Sequence, residues 1–240
     1  MDELNYPVRI NKYLAVKKYC TRRKADELIS AGKVKINGRL AVLGDKVAAG
    51  DKVEVDASTL GKLAKNYVYL AYNKPAGIMT HGGEVEGKDD IGAIFRFTPK
   101  VFPVGRLDQD SHGLIILTND GRVTDRLLNP ARNHEKEYYV QVNSPLKQRD
   151  LTRLTKGVKI EDGLTKPTQV FGQLGSKTFR IILTEGKRHQ IRRMVTALGY
   201  EVIDLQRVRI MNIKLDGLKP GEHRKIEGIE LVAFLKALDL

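Results

Sequence analysis

The stretch Gly105-Arg106-Leu107-Asp108-Gln109-Asp110-Ser111-His112-Gly113-Leu114-Ile115-Ile116-Leu117-Thr118-Asn119-Asp120-Gly121 is a polar, carboxylate-rich loop followed directly by an apolar run. The apolar residues 114–117 have the composition of a strand that is buried on both faces. Because a loop joined to a buried strand has little freedom, we expect Asp108 to be held rigidly near Arg106. Rigid placement of one acid beside one arginine is what carboxylate catalysis requires.

This stretch resembles the catalytic-loop motif of RNA pseudouridine synthases of the RsuA type, G-R-L-D-x-D-S-x-G-L-x-x-L-T-N-D-G, at every fixed position. The resemblance implies that Asp108 is the nucleophile or its near equivalent. Asp110 is expected to bond backbone amides and to shape the loop. A purely structural loop and a calcium loop are the alternatives, but a calcium loop needs an acid at its twelfth position, where Asn119 stands.

The composition predicts a polyanionic partner. The 240 residues contain 42 Lys and Arg against 29 Asp and Glu, a net charge of +13. Nucleic acid is the usual partner of such a chain, the alternative being a merely basic protein. A single cysteine, Cys20, excludes an internal disulfide framework. Since the chain shows no apolar leader, membrane-length stretch or heptad pattern, we expect a cytoplasmic monomer.

Two basic units are predicted, residues 7–56 and 67–240, joined by a small, polar, aperiodic linker at 57–66. In the first unit, helical spacing covers 9–17, and Thr21 can cap a helix over 22–30 that ends at Gly32. A strand over 34–36 leads into an Asn37-Gly38 hairpin turn, and a last strand covers 52–55. These elements, with R-I-N-K-Y-L and T-R-R-K-A-D-x-L-I-x-x-G-x-V-x-I-N-G, resemble the S4 RNA-binding domain.

Cations occupy the first turn of the second predicted helix, where they oppose the macrodipole at about 0.3–1 kcal/mol each. A chain can carry that cost where the same helix end binds phosphate, and the alternative is a solvated charge run. We predict that a phosphate-binding face of the first unit consists of Arg9, Lys12, Arg22, Arg23, Lys35 and Arg39.

The second unit is predicted to be an α+β domain around a mixed, largely antiparallel sheet, because strands outnumber helices and several adjoin without an intervening helix. The predicted strands are 67–72, 113–118, 136–142, 167–173, 178–184 and 201–212. The predicted helices are 122–129, 146–155, 188–198 and 229–238. The synthase resemblance implies the same architecture.

A second motif, E-G-K-R-H-Q-I-R-R-M at 185–194, resembles the late motif of the same family. The resemblance implies that Arg192 pairs with Asp108. An arginine there would lower the pKa of the carboxyl and keep it charged in a dry pocket. Lys187, Arg188 and Arg193 are assigned to general RNA contact, and an acid–base role for His189 is an alternative.

A third motif, K-E-Y at 136–138, resembles the family's K-x-Y sequence and assigns Tyr138 to stacking on an extruded uracil. Tyr139 should face the other side of the strand, with core packing as the alternative to exposure. Leu183 is predicted to pack against the other face of the base, or to be plain core. Arg106 is predicted to fill the space that a flipped uridine leaves. In the family's N-K-P-x-G opening, Lys74 is expected to be structural rather than to touch RNA.

Taken together, the motifs resemble an S4-containing pseudouridine synthase acting on ribosomal RNA. Residues 191–212 look closest to the F-type enzymes of the large subunit. The reaction gains and loses no atom, so no cofactor and no metal are expected, and the chain has neither a phosphate loop nor a dinucleotide fingerprint. The alternatives are a non-catalytic RNA-binding or ribosome-assembly protein, and a glycoside hydrolase, which would need a second positioned acid.

Overall fold

The computed structural model describes residues 4–17, 19–56, 67–80 and 89–240. They form two compact units, the first comprising residues up to Val68 together with Asn119–Asp125. The second comprises Tyr69–Thr118 and Arg126–Leu240. The predicted linker, 57–66, lies outside the described residues, so that assignment stays a prediction.

The first unit has two helices followed by short strands. Its elements are β1 (Val8–Arg9), α1 (Ile10–Val16), α2 (Arg22–Ser30), β2 (Val34–Ile36), β3 (Arg39–Leu40), β4 (Lys46–Val47) and β5 (Val53–Val55). The Thr21 hydroxyl accepts a hydrogen bond from the Lys24 amide at 3.2 Å, so the predicted cap of α2 is confirmed. Asn37 and Gly38 have φ of 51° and 81°, as a tight turn between β2 and β3 requires.

The core of the first unit lies where both helices pack against the strands. Its buried residues include Ile10, Leu14, Cys20, Ala25, Leu28, Ile29, Val34, Ile36 and Val47. Burial raises the pKa of the Cys20 thiol to about 11, so the thiol stays protonated at neutral pH.

The second unit is built on one large sheet and a separate hairpin. Its strands are β6 (Tyr69–Lys74), β7 (Phe102–Val104), β8 (His112–Thr118), β9 (Lys136–Val142), β10 (Lys159–Ile160), β11 (Gly163–Leu164), β12 (Gln169–Gly172), β13 (Thr178–Leu183), β14 (Val202–Ile210), β15 (Ile213–Lys214) and β16 (His223–Lys225). The sheet order is β12-β13-β9-β14-β8-β6-β16, with β15 on β14 and β7 on β8, while β10 and β11 form the hairpin. Within the described chain β14 and β8 pair in parallel and the other neighbours are antiparallel, which confirms the predicted mixed sheet.

The helices after the first unit's α2 are α3 (Ile91–Ile94), α4 (Arg122–Leu128), α5 (Gln148–Lys156), α6 (Gln190–Thr196) and α7 (Gly228–Ala237), and α4 is divided between the two units at Asp125. Two of these helices, α5 and α6, pack against the sheet of the second unit. Val140 and Leu205, which pair across β9 and β14, pack into one core with Leu154 of α5 and Met194 of α6. Side chains of these strands alternate in direction, so the neighbouring residues turn toward the opposite face. None of the helices that the structure describes has both the length and the apolar character needed to cross a membrane.

Candidate active site

A cleft of about 800 Å³ in the second unit gathers residues from motifs far apart in the sequence. The catalytic loop contributes Arg106 and Asp108, β9 contributes Tyr138, and β13 contributes Leu183. The segment before α6 contributes Lys187, Arg188 and His189, and the first residue of α6, Gln190, lines the cleft as well. The fold therefore brings together side chains that the sequence analysis selected from three separate motifs.

The loop that bears Asp108 is pinned on both sides of this residue. The Thr80 hydroxyl donates to the Leu107 carbonyl at 3.0 Å and accepts from the Leu107 amide at 3.1 Å. On the other side, the Gly77 amide donates to the Gln109 carbonyl at 2.8 Å. Asp108 is thus fixed by bonds to a second segment of the chain as well as by the strand that follows it.

Lys74 joins these two segments from inside the protein. Its side chain is fully buried, and its ammonium donates to the carbonyls of Pro75 at 2.8 Å, Ile78 at 2.7 Å and Gln109 at 3.4 Å. Burial and, to a lesser degree, the nearby Arg207 lower the pKa of Lys74 to about 8, although Asp108 opposes the shift. These contacts agree with the structural role expected for Lys74.

Arg192 does not contact the Asp108 carboxylate within the described chain, so the predicted ion pair is wrong. Its Nη2 donates instead to the Asp110 carbonyl at 3.2 Å and to the Ser111 hydroxyl at 3.4 Å. The guanidinium therefore contacts the loop at Asp110 and Ser111 and not at the Asp108 side chain. Arg192 therefore holds the backbone of the catalytic loop. Asp110 is exposed and serves the loop through this carbonyl, since no amide of the residues that the structure describes bonds its carboxylate.

The nearest ionic neighbour of Asp108 is His189, with 3.4 Å between His189 Nε2 and Asp108 Oδ1. His189 precedes α6 in the left-handed conformation, with φ of 49°. That conformation is uncommon for a residue with a side chain, and such residues cluster at functional sites. The His189 and Asp108 side chains are 47% and 36% exposed, so water reaches and weakens the pair.

Several cations predicted to contact RNA are held within the protein. Lys187 donates to the carbonyls of Asp162 and Leu164, both at 3.3 Å, and Arg193 pairs with the Asp162 carboxylate. The hydrogen bond from Arg193 lowers the pKa of Asp162. Lys187 and Arg193 thereby anchor the β10–β11 hairpin, and their assignment to general RNA contact stays a prediction.

In the first unit, Arg39 pairs with Asp45 at 2.9 Å, so its guanidinium is also engaged within the protein. The other residues of the predicted phosphate-binding face are exposed, namely Arg9, Lys12, Arg22, Arg23 and Lys35. In the second unit, Arg188 is exposed at the cleft. These exposed cations remain the candidates for RNA contact.

The two tyrosines of β9 lie on opposite faces of the sheet. Tyr138 is half-buried at the cleft and packs against the core, whereas Tyr139 is 38% exposed on the reverse face. The core-packing alternative for Tyr139 is therefore wrong. Leu183 lines the cleft and is also part of the core, so both of its predicted roles are compatible with its position.

Two cations of the cleft, Lys136 and Arg207, were not selected from the sequence. Burial lowers the pKa of Lys136, and the adjacent Arg207 lowers it further. Arg207 is 3% exposed and lies on the same face of β14 as Leu205, which also lines the cleft. An irregularity after Arg207 turns Arg209 to the reverse face. In the register, Arg207 lies opposite Tyr138 while Arg209 lies opposite Glu137. A bulge of this kind re-aims side chains, and no sequence pattern around it reveals the shift.

Gly113 allows β14 to approach β8 closely. Gly113 pairs with Arg207 and has φ of 104°. A Cβ atom at Gly113 would lie 2.3 Å from the Arg207 carbonyl oxygen, so any side chain there would force the strands apart. The glycine of the loop motif is thus needed for the position of Arg207.

Comparisons with known proteins find similar sequences and a similar fold over most of the chain. Residues 68–197 match the RNA pseudouridylate synthase family model, and residues 8–53 match the S4 domain model. The chain is 40% identical over 235 residues to the dual-specificity RNA pseudouridine synthase RluF of Escherichia coli (strain K12), covering 97% of this chain and 80% of that protein. It is 33% identical over 237 residues to the ribosomal large subunit pseudouridine synthase B of Bacillus subtilis, covering 96% of each. A crystal structure of a pseudouridylate synthase superposes with a TM-score of 0.68 at 27% identity, covering 96% of this chain and 99% of that one.

Proposed function

The chain belongs to the RNA pseudouridine synthase family and is an isomerase of uridine in ribosomal RNA; we propose that it acts on 23S ribosomal RNA with Asp108 as its catalytic carboxylate. One observation carries the assignment of the site: Asp108 and Tyr138, from two separate motifs, line one cleft with Leu183, from the strand before a third motif. We further propose that the protein works in the cytoplasm as a monomer and without a cofactor.

The reaction breaks the bond between uracil N1 and ribose C1′ and joins C5 to C1′. The ring regains a proton at N1 and loses one from C5, so atoms and electrons balance within the nucleotide. Attack at C1′ and attack on the ring both require an ionised carboxylate close to the sugar–base bond. Asp108, on a loop pinned through Leu107 and Gln109, satisfies that requirement because its position is set before the RNA binds.

The remaining cleft residues are assigned by what they can do to an extruded base. The half-buried ring of Tyr138 stacks on the uracil, and its hydroxyl assists removal of the C5 proton. Leu183 packs against the other face of the base. Arg106 is exposed at the cleft, where its planar guanidinium fills the gap left in the RNA stack. Arg192 acts as a positioning residue through the Asp110 carbonyl and the Ser111 hydroxyl.

The S4 unit supplies affinity for RNA. Its exposed cations include Arg22 and Arg23 at the start of α2, where main-chain amides also attract phosphate. The preference for 23S over 16S ribosomal RNA rests on the named relatives, one of which is a large-subunit synthase.

Mapping of pseudouridine in unmodified transcripts tests this proposal. Transcribed 23S and 16S ribosomal RNA, free and assembled into subunits, are incubated with wild type or Asp108→Ala, and carbodiimide adducts are located by primer extension. We expect a new stop in 23S RNA with wild type and none with the variant. A stop confined to 16S RNA would overturn the substrate. Tight RNA binding without any stop would favour a non-catalytic RNA-binding protein.

A further inference from the structure

We propose that Arg207 is a further catalytic residue, whose Nη2 donates a hydrogen bond to a carbonyl oxygen of the uracil ring as the ring leaves the ribose. The proposal rests on the proposed function, because it requires a uridine in the cleft that Asp108 and Tyr138 line.

The hydrogen bonds of Arg207 leave one nitrogen unused. Nε donates to the Leu114 carbonyl at 2.7 Å, and Nη1 donates to the Arg106 carbonyl at 3.2 Å. Nη2 is closed to solvent and has no hydrogen-bond partner among the described residues. A buried donor of a charged group without a partner is costly, and an unsatisfied group in a native cleft calls for an explanation. A ligand that enters the cleft would provide the missing acceptor once the groups that cover Nη2 move aside to admit its oxygen.

The register places this donor beside the base. Tyr138 lies between Ile181 of β13 and Arg207 of β14 as a direct cross-strand neighbour of both. Opposite residues of this kind have Cβ atoms about 4.5–5.5 Å apart. If Tyr138 stacks on a face of the uracil, a group next to Tyr138 in the sheet faces an edge of that ring. Carbonyl oxygens O2 and O4 occupy the edges of uracil.

The charge of Arg207 is not neutralised locally. Among the described residues no carboxylate forms an ion pair with it, whereas Arg209 pairs with Glu137 at 2.8 Å and with Glu135 at 3.0 Å. Two main-chain carbonyls fix the Arg207 guanidinium in place, so it does not have to reorganise during the reaction. A fixed donor in a dry site is the arrangement that best stabilises charge developing in a transition state.

The reaction develops such charge on the base. When the N1–C1′ bond breaks, its electron pair stays with the uracil and spreads over N1, O2 and O4. A guanidinium stays protonated in proteins, so Arg207 gives up no proton. It stabilises the oxygen by a hydrogen bond until C5 bonds to C1′, after which C5 loses its proton and N1 gains one.

The test combines a changed substrate with a changed enzyme. Single-turnover rates are measured on RNA in which the target uridine is replaced by 2-thiouridine or by 4-thiouridine, because sulfur is a weak acceptor. The enzymes are wild type, Arg207→Met and, as the matched control, Arg209→Met on the reverse face of the same strand. RNA affinity and circular dichroism are recorded for each enzyme.

We expect wild type to slow about 10-fold or more with one of the two thio substitutions, which identifies the oxygen. Arg207→Met should be about 10²-fold slower on uridine and should show no further loss with that thio substitution. Arg209→Met should respond to both substrates as wild type does.

Two results would overturn the proposal. The first is wild type tolerating both thio substitutions, a result that needs no variant and so holds even if Arg207→Met fails to fold. The second is Arg207→Met losing rate by the same factor as wild type with each thio substitution, which would make Arg207 a support of the loop alone. Failure of the proposed function is a different outcome, because wild type would then not modify uridine RNA at all.

Discussion

Each face of the sheet around β9 and β14 carries one tyrosine and one arginine, but the burial and the bonding partners of these side chains differ between the faces. The cleft face has Tyr138 and Arg207, and the reverse face has Tyr139 and Arg209 at neighbouring positions. Arg209 on the reverse face forms ion pairs with two carboxylates. Arg207 on the cleft face is buried, donates to two main-chain carbonyls, and has one nitrogen without a hydrogen-bond partner among the described residues. Register and a bulge, and not residue type, therefore decide which tyrosine and which arginine serve the reaction.

The largest difference between the faces is expected for the tyrosines. Tyr138→Ala should lower the single-turnover rate by about 10²-fold or more, because the base loses its stacking partner and a proton acceptor. Tyr139→Ala should stay within a few-fold of wild type. Rates of tritium release from RNA labelled at uridine C5 measure both. Equal losses of rate in the two variants would show that the two tyrosines do not differ in their contribution to the reaction.

A second pair, Arg192 and Arg193, contrasts a cation on the catalytic loop with one on a hairpin. Arg192→Met should slow turnover by about 10- to 10²-fold, because the loop that bears Asp108 loses its bonds at Asp110 and Ser111. Arg193→Met should leave kcat nearly unchanged, because Arg193 binds the β10–β11 hairpin through Asp162. A larger kcat loss in Arg193→Met would show that the hairpin shapes the cleft.

Lys74 resembles Arg207 in being a buried cation that donates to main-chain carbonyls. Its pKa is about 8 in the folded protein against an ordinary 10.5, so the folded chain releases this proton first as the pH rises. Stability from this group is therefore present above pH 10.5 and is lost as the pH falls through 8. Relative to Lys74→Met, wild type should gain about 1.5 kcal/mol in free energy of unfolding between pH 8 and pH 9.5. Urea unfolding at both pH values measures the gain, and a flat difference would contradict it.

The smallest effect is expected in the first unit, where Arg23 is exposed and Lys24 pairs with Glu27. Arg23→Met should reduce the slope of log affinity against log salt by about 1, because one phosphate contact is lost. Lys24→Met should change the slope less, since its ammonium is already engaged. Filter binding of ribosomal RNA over a salt series gives both slopes. An unchanged slope in Arg23→Met would remove this residue from the phosphate-binding face.

Local signals in the sequence predicted much of the fold. The cap at Thr21, the turn at Asn37-Gly38 and the strand β9 appear where they were predicted, because each depends on residues adjacent in the chain. The two- and three-residue strands β7, β15 and β16 were not predicted. They are too short to show alternation, and they form only because a neighbouring strand offers hydrogen-bonding partners.

The site was predicted only in part, for a similar reason. Asp108 and Tyr138 were selected from motifs, Leu183 from the strand before a motif, and the three do share one cleft. The partner of Arg192, the approach of His189 to Asp108 and the aim of Arg207 depend on contacts between segments far apart in sequence. Such contacts leave no pattern in a single sequence, so these features could not be predicted from it. A bulge moves a side chain to the opposite face without any change in composition.

The central claim is that Asp108 acts chemically and that its neighbour Asp110 serves through its main chain. Single-turnover tritium release from uridine-labelled 23S ribosomal RNA, compared for wild type, Asp108→Ala and Asp110→Ala, tests it most directly. The account predicts a loss of about 10⁴-fold or more in Asp108→Ala with RNA affinity retained, and a loss of less than about 10-fold in Asp110→Ala. Tritium release by Asp108→Ala within about 10-fold of wild type, at equal RNA affinity, would contradict it.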